Sequence, residues 1–173
     1  MAYGWEFLYK FTKYPFNIST SYTLGWSYKT VEGWTYFPKY DSRHNITLSF
    51  NYNFGDGWSS GILWLYNSGL PFTPSNGYYD KFIFEDMDDY NSQYEGYNQN
   101  PLLGDLNSMR LPDYHRLDFG INKVFDFNTF SLETSLNFVN VYDRKNIFYF
   151  DRETGERINM LPFLTTMTIK LIF

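Results

Sequence analysis

Strict alternation of apolar and polar side chains over residues 44–54 limits the fold of this chain more than any other feature. Ile46, Leu48, Phe50, Tyr52 and Phe54 alternate with residues that are all Asn, Thr or Ser. Successive side chains of a β-strand point to opposite faces, so a period of two predicts a strand with one apolar and one polar face. The segment is therefore predicted to be a strand that lies between two different environments.

The same alternation predicts seven strands in the chain and no helix. Residues 16–28 repeat it, and only Thr20 interrupts their apolar face. The predicted strands span residues 4–12, 16–28, 44–54, 58–67, 115–125, 130–140 and 163–173. We therefore predict an all-β, antiparallel fold.

The connections between these strands alternate in length. Residues 13–15, 55–57 and 126–128 form short turns, whereas residues 31–43, 68–114 and 141–162 form long loops. In an antiparallel sheet all short turns then lie at one edge and all long loops at the other. Outer-membrane barrels have short periplasmic turns, long extracellular loops and alternating strands of about ten residues. The pattern predicts a segment of a transmembrane β-barrel with about seven strands.

Aromatic residues make up 23% of the chain, which excludes a disordered linker. Six of them are close to the predicted short turns, as in the interfacial girdle of a membrane barrel. These six are Phe11, Phe16, Phe54, Trp58, Phe125 and Phe130. Lys123 falls on the apolar face near the same edge, where its side chain can extend toward the headgroups.

Two other architectures remain open at this point. Alternating strands with frequent turns also occur in a soluble β-sandwich, which here would bind glycans through loop tyrosines. However, the polar faces of strands 16–28 and 44–54 carry no charge, which suits a lumen better than open solvent. The length also fits a small complete outer-membrane barrel of about eight strands that acts as an adhesin or a pore.

Several function classes are excluded by composition and by missing motifs. A net charge of −5 and a pI near 4.9 argue against nucleic acid as a partner. The chain has no cysteine, and it has no nucleophile elbow, phosphate loop, HExxH or GxGxxG motif. We predict that it is not an enzyme, that it has no catalytic residue, and that it has neither a cofactor nor a specific metal site.

The acidic stretch 80–100 is the candidate substrate-binding segment, with six acidic residues against one lysine. It fails as a calcium loop, because counting from Asp86 puts Asn91 and Tyr97 where Gly and Glu are required. Its interleaved aromatic residues suit stacking against a sugar or an aromatic iron chelate. The candidate residues are Phe82, Phe84, Asp86, Asp88, Asp89, Tyr90, Tyr94 and Tyr97.

The chain has two histidines, His44 and His115, and each precedes a strand that runs from a long loop to a short turn. Each is next to an arginine and near an aspartate, in Asp41–His44 and Asp113–Arg116. This repeated context indicates side-chain hydrogen bonds that fix the start of a strand at the outer rim, not a catalytic pair.

Four segments resemble the carboxy-terminal barrel of TonB-dependent outer-membrane receptors: residues 36–45, 67–73, 111–118 and 137–147. The alternating C-terminal residues Met167, Ile169, Leu171 and Phe173 also resemble the signal that the barrel-assembly machinery reads in that family. The resemblance implies a barrel of 22 strands that is closed by an N-terminal plug. It also implies location in the bacterial outer membrane and uptake of a scarce nutrient, energised by the inner-membrane Ton complex acting on the plug.

Relative to that family, residues 1–173 are expected to be the C-terminal part of the barrel, without the plug and the upstream strands. Seven is an odd number of strands, whereas single-chain bacterial barrels have even numbers, and the chain starts without a signal peptide. The expected partners are outer-membrane lipid, the barrel-assembly machinery, the missing plug and strands, and the Ton complex through the plug. Siderophores, cobalamin, glycans and peptides remain equal candidates for the small-molecule substrate.

Overall fold

The computed structural model describes residues 1–80, 99–152 and 154–173. The described residues form fifteen strands and no helix. In chain order the strands are β1 (Ala2–Lys13), β2 (Phe16–Ser27), β3 (Lys29–Val31), β4 (Trp34–Tyr36), β5 (His44–Gly55), β6 (Trp58–Asn67), β7 (Pro71–Phe72), β8 (Ser75–Asp80), β9 (Gln99–Leu103), β10 (Met109–Arg110), β11 (Tyr114–Asp126), β12 (Ser131–Val139), β13 (Ile147–Phe150), β14 (Arg157–Asn159) and β15 (Leu164–Ile172).

Seven long strands form one antiparallel sheet in the order β1-β2-β5-β6-β11-β12-β15. Each corresponds to one of the seven strands predicted from alternation, so the all-β, antiparallel prediction is confirmed. Within the described residues the sheet is open, because β1 and β15 each pair on one side only. No closed barrel is found among the described residues, so the transmembrane barrel stays a prediction.

The register places most apolar side chains of the seven strands on one face, and the exceptions on the other face include Leu8, Leu63 and Leu65. Phe50 lies opposite Ile18 on one side and Ile62 on the other, and Ile62 lies opposite Phe119. We call this surface the apolar face. Its large apolar members are Tyr3, Trp5, Phe7, Tyr9, Phe11, Phe16, Ile18, Tyr22, Leu24, Trp26, Ile46, Leu48, Phe50, Tyr52, Phe54, Trp58, Ile62, Trp64, Tyr66, Leu117, Phe119, Ile121, Phe125, Leu132, Leu136, Phe138, Met167, Ile169 and Leu171.

The opposite side of the sheet, here called the polar face, carries a row of Asn and Gly at one height. Asn51, Gly61, Gly120 and Asn137 are consecutive cross-strand partners on β5, β6, β11 and β12. A Cβ built on Gly61 would lie 2.7 Å from Oδ1 of Asn51, and one on Gly120 would lie 2.6 Å from Oδ1 of Asn137. The amide oxygens of Asn51 and Asn137 therefore occupy the space that a side chain at Gly61 or Gly120 would need.

The turn between β5 and β6 shows why residues 55–57 end one strand and start the next. Gly55, Asp56 and Gly57 all have positive φ, at 85°, 49° and 75°. Glycine adopts this region without steric cost, and aspartate tolerates it better than most residues do. The three residues therefore reverse the chain tightly, as their sequence predicts.

The long loops contain short hairpins that the alternation pattern did not predict. β3 pairs with β4, β8 with β9, and β13 with β14, while β7 pairs with β10. Glu32 and Gly33, both with positive φ, form the two-residue turn between β3 and β4. Strands of two to six residues are too short for a period of two to be visible in the sequence.

No apolar side chain is fully buried among the residues described. Apart from Pro38 and Pro71, the buried side chains are polar: Asp41, Asn107, Asn140 and Asn146. The structure is one sheet with loops at one edge, and the described residues form no second layer against the apolar face. In the described part of the chain, no helix has the length and apolar character needed to cross a membrane.

Candidate functional site

The apolar face is uncovered from β1 to β15: its side chains are exposed on the two edge strands and mostly half-buried on β2, β11 and β12. Trp5 on one edge strand is 79% exposed and Met167 on the other is 67% exposed. Leu48 and Ile62, on central strands, are also classed as exposed. Because isolated soluble monomers rarely present an apolar area that spans a whole sheet, this face is a candidate interface.

The side-chain types on the apolar face differ between the middle of the strands and their ends. Aliphatic and Phe side chains occupy its middle, including Leu48, Phe50 and Ile121. The long-loop edge, where the strands meet the long loops, is instead rich in Tyr, Trp and His. Those residues are Tyr3, Tyr22, Trp26, His44, Trp64, Tyr66 and His115.

The opposite edge, where the short turns lie, carries the one lysine expected on the apolar face. Lys123 Nζ lies 5.1 Å from the ring centroid of Trp58 and 5.2 Å from that of Phe125, and it donates a hydrogen bond to the carbonyl of Asp56 in the turn. The ammonium group therefore reaches the turn backbone, while its stem covers aromatic surface.

Both histidines form the hydrogen bonds predicted for them at the long-loop edge. His44 Nδ1 lies 2.9 Å from the Tyr22 hydroxyl, and His115 Nδ1 lies 2.7 Å from the Tyr142 hydroxyl. Burial raises the pKa of Tyr142, which keeps that hydroxyl protonated. His44 thus joins β5 to β2, and His115 joins β11 to the loop after β12. The two histidines lie on different strands and are not partners of each other.

Asp113 is a second link between strand and loop at this edge. Its carboxylate accepts a hydrogen bond from the Tyr66 hydroxyl at 2.7 Å and one from the backbone N–H of Gly69 at 3.1 Å. The Tyr66 hydrogen bond is the main cause that lowers the pKa of Asp113, and Arg144 contributes in the same direction. The aspartate therefore fixes the start of the loop that follows β6.

Two buried asparagines shape the loop that follows β12. Asn140 is 0% exposed, and its amide donates to the carbonyls of Arg144 and Leu161 at 3.0 and 3.1 Å. Asn146 exchanges two hydrogen bonds with the backbone of His115, at 3.2 and 2.9 Å, as a neighbouring strand would. The Asn146 amide thus replaces backbone pairing where β11 extends beyond β12, and the Asn140 amide holds the loop together.

A cleft of about 930 Å³ lies among the loops at the same edge. Residues 70–75 and Tyr78 form one wall, and the β13–β14 hairpin forms another through residues 148–152 and Gly155. Lys39, from the loop before β5, also lines it. Sequence analysis did not identify this cleft, although the aromatic run Phe148–Phe150 is a visible signal for it.

The predicted substrate-binding residues, Phe82, Phe84, Asp86, Asp88, Asp89, Tyr90, Tyr94 and Tyr97, lie outside the described residues. Of the predicted assembly signal, Met167, Ile169 and Leu171 share the apolar face of edge strand β15, and the Phe173 side chain that follows them is 96% exposed. The four alternating side chains near the C-terminus therefore form one accessible strip.

Comparisons of the chain with protein-family models, with curated proteins and with solved structures gave no match. Among the described residues, no group of three or more His, Asp or Glu side chains is arranged to hold a metal ion. The apolar face and the loop edge are therefore the features from which function has to be inferred.

Proposed function

We propose that this chain forms part of the wall of a TonB-dependent receptor in the bacterial outer membrane, and that its long loops face the outside. The complete receptor would import a scarce nutrient by energy-coupled uptake. In this proposal the apolar face contacts lipid and the polar face lines the lumen, where the plug sits. The short turns lie in the periplasm.

The observation that carries the proposal is the uncovered apolar face. It crosses all seven long strands, and it is bordered by Tyr, Trp and His at the long-loop edge and by Phe, Trp and Lys123 at the short-turn edge. Aromatic girdles on both sides of an aliphatic band are typical of barrels that contact lipid. Contact of this surface with water would be unfavourable, because each exposed apolar side chain lacks the free energy that is gained when it leaves water.

The height of the apolar band also supports the proposal. The apolar residues of β5 extend from Ile46 to Phe54, which is about 26 Å along a strand at roughly 3.3 Å per residue. With a tilt of about 40° from the membrane normal, the band is roughly 20 Å tall, close to the apolar band of outer-membrane barrels.

The directions of the two edge strands support the proposal that the chain is a segment of a larger barrel. β1 and β15 both run from the long-loop edge to the short-turn edge, so they are parallel to each other. Closure with antiparallel pairing throughout therefore needs an odd number of further strands between them. We propose that upstream receptor strands occupy these edges and that the assembly machinery acts on the strip formed by Met167, Ile169, Leu171 and Phe173.

The soluble-sandwich hypothesis has less support. A sandwich needs a second sheet against the apolar face, and within the described ranges the small hairpins all lie in the loops, not on that face. A complete small barrel would need at least one further long strand between the parallel strands β1 and β15, and no such strand occurs among the described residues.

Single-cysteine labelling in intact cells tests the proposal, because the chain has no cysteine of its own. The variants are Lys145→Cys in a long loop, Asn128→Cys in a short turn and Leu48→Cys on the apolar face, each in the full-length protein that contains this chain. Lys145 and Asn128 are both exposed, so their reactivities can be compared directly. The reagent is a membrane-impermeant hydrophilic maleimide.

We expect Lys145→Cys to react in intact cells, Asn128→Cys to react only after the outer membrane is opened, and Leu48→Cys to react only after denaturation. Equal labelling of Lys145→Cys and Asn128→Cys in a soluble fraction would overturn the proposal in favour of the sandwich. A heat-modifiable band no heavier than 20.7 kDa would instead support the small complete barrel.

A further inference from the structure

The cleft at the long-loop edge has the composition of a ligand site. Its aromatic lining comes from both walls: Phe72 and Tyr78 on one side, and Phe148, Tyr149 and Phe150 on the β13–β14 hairpin. All but Phe72 among these side chains are classed as exposed, so their rings are accessible from solvent. At about 930 Å³ the cleft is near the upper end of the range for small-molecule sites.

The two walls support each other, so the cleft does not depend on a single loop. The rings of Phe72 and Phe150 pack at a centroid distance of 5.7 Å. Gly155 has a φ of 71°, and a Cβ at that position would lie 3.5 Å from the Tyr78 hydroxyl. The tight turn of the β13–β14 hairpin therefore contacts β8 directly, and the aromatic side chains are held at a fixed separation.

The charges of the cleft favour an anionic ligand. Lys39 and Arg152 both line it, and neither forms an ion pair with an acidic side chain in the described part of the chain. Asp151 also lines the cleft, and its carboxylate accepts a hydrogen bond from the backbone N–H of Thr154 at 3.0 Å. Two cations that have no acidic partner among the described residues therefore face the space that the aromatic rings border.

We propose that this cleft binds an oligosaccharide that carries carboxylate or sulfate groups. The flat C–H faces of sugar rings stack on exposed Phe and Tyr, the hydroxyls of Ser75, Tyr78 and Tyr149 suit a ligand rich in hydroxyls, and the two cations select for negative charge. The inference names a substrate class for the proposed receptor, and it rests on that proposal only for the claim that the bound sugar is imported.

A glycan array tests the inference with the detergent-purified receptor that contains this chain. The array carries uronate-bearing and sulfated oligosaccharides beside neutral oligosaccharides of the same length and linkage. Calorimetry then measures affinity for the best acidic ligand in the wild type, in Phe148→Ala and in Lys39→Gln with Arg152→Gln. Arg157→Gln is the matched control, because Arg157 is on the same hairpin but does not line the cleft.

We expect acidic oligosaccharides to bind more tightly than their neutral counterparts, and the affinity to fall with added salt. The double charge variant is expected to weaken binding about tenfold, and Phe148→Ala is expected to weaken it by a similar factor. Arg157→Gln should leave the affinity unchanged. The variants should insert into the membrane as the wild type does.

Three results would overturn the inference. They are equal binding of acidic and neutral sugars, unchanged affinity in the charge and aromatic variants, and binding of an aromatic iron chelate with no acidic sugar bound. Each of these leaves the topology shown by cysteine labelling intact, so failure of the ligand class is distinguishable from failure of the proposed receptor function.

Discussion

The carboxylate of Asp41 and the guanidinium of Arg110, 69 positions apart in the sequence, form an ion pair that joins two long loops. Asp41 is 2% exposed and also accepts a hydrogen bond from the backbone N–H of Ser27 at 2.7 Å. Arg110 donates further to the carbonyls of Asp41 and Gly69, and its guanidinium lies over the ring of Phe37. The pair therefore ties the loop before β5 to the loop after β6.

Removal of the carboxylate is expected to loosen both loops. Asp41→Ala leaves Arg110 without its anionic partner and frees the N–H of Ser27, with a cost of about 2 kcal/mol, because Arg110 is partly exposed and partly screened. Limited proteolysis of the folded protein should show faster cleavage within residues 28–43, with the long sheet intact.

The double variant Asp41→Ala with Arg110→Ala provides the control for that experiment. It removes the unpaired charge, so it should recover part of the lost protection. The single variant Arg110→Ala completes the cycle. If the double variant loses as much protection as the two single variants together, the two side chains are not coupled and the ion pair is not the contact that holds the loops.

Two glycines are expected to differ sharply in their tolerance of alanine. A Cβ on Gly69 would lie 1.5 Å from the backbone oxygen of Leu111, so two loop backbones have to move apart. A Cβ on Gly61 would meet only the mobile end of the Asn51 side chain. We expect Gly69→Ala to lower stability by about 2 kcal/mol or more, and Gly61→Ala to change it by less than about 0.5 kcal/mol.

Urea unfolding in detergent, followed by the heat-modifiable mobility of the folded form, measures both changes. Gly61→Ala serves as the internal control, because it introduces the same methyl group into β6, the strand that leads to Gly69. Similar losses for the two variants would mean that the close approach of Gly69 and Leu111 is not maintained in the folded protein.

The long strands were predictable because one local rule determines them. Alternation over residues 44–54 identifies β5 and its two faces without any knowledge of its neighbours. Turn residues such as Gly55 and Gly57 add the strand ends, because positive φ favours glycine. Short turns then place β2 beside β1, β6 beside β5 and β12 beside β11, whereas the pairings across the long loops are given by the structure.

The loop contacts were not predictable, because they depend on residues that are far apart in the sequence. Nothing local to Asp41 indicates that Arg110 is its partner, and the Asn51–Gly61–Gly120–Asn137 row is visible only when the register of four strands is known. The cleft was not predictable for the same reason, because its aromatic walls come from two loops. The sequence indicated where the loops begin, but not how they pack.

The stability of the long-loop edge is expected to fall in acid through Asp113. Its pKa is lowered in the folded state, chiefly by the Tyr66 hydroxyl, so the folded protein holds the proton less tightly than the unfolded chain does. The stabilisation is complete above the ordinary carboxyl pKa of about 4, and it is lost as the pH falls through the lower folded value.

Thermal unfolding of the wild type, of Asp113→Asn and of Tyr66→Phe, measured from about pH 6 to pH 2, checks this expectation. Asp113→Asn should be less stable than the wild type at neutral pH, and the difference should narrow in acid. Tyr66→Phe should reduce the pH dependence without removing it, since the N–H of Gly69 still donates to the carboxylate. A constant difference across the pH range would contradict the role given to Asp113.

Three arginine substitutions on β5 should distinguish lipid from water as the neighbour of the apolar face. Leu48 lies in the middle of the strand, Phe54 lies next to the short turn, and Ser49 follows Leu48 on the polar face. If lipid covers the apolar face, Leu48→Arg is expected to cost about 2–4 kcal/mol and Phe54→Arg about 0–1 kcal/mol, because the penalty falls toward the membrane surface. Ser49→Arg, which adds the same side chain on the polar face, controls for strand propensity and size and should cost less than Leu48→Arg. The measurement is reversible unfolding from bilayers in denaturant. Equal costs for Leu48→Arg and Phe54→Arg would contradict a lipid-facing sheet. In a bilayer the free-energy cost of arginine falls from the middle of the strand to its end, whereas in a protein core it does not.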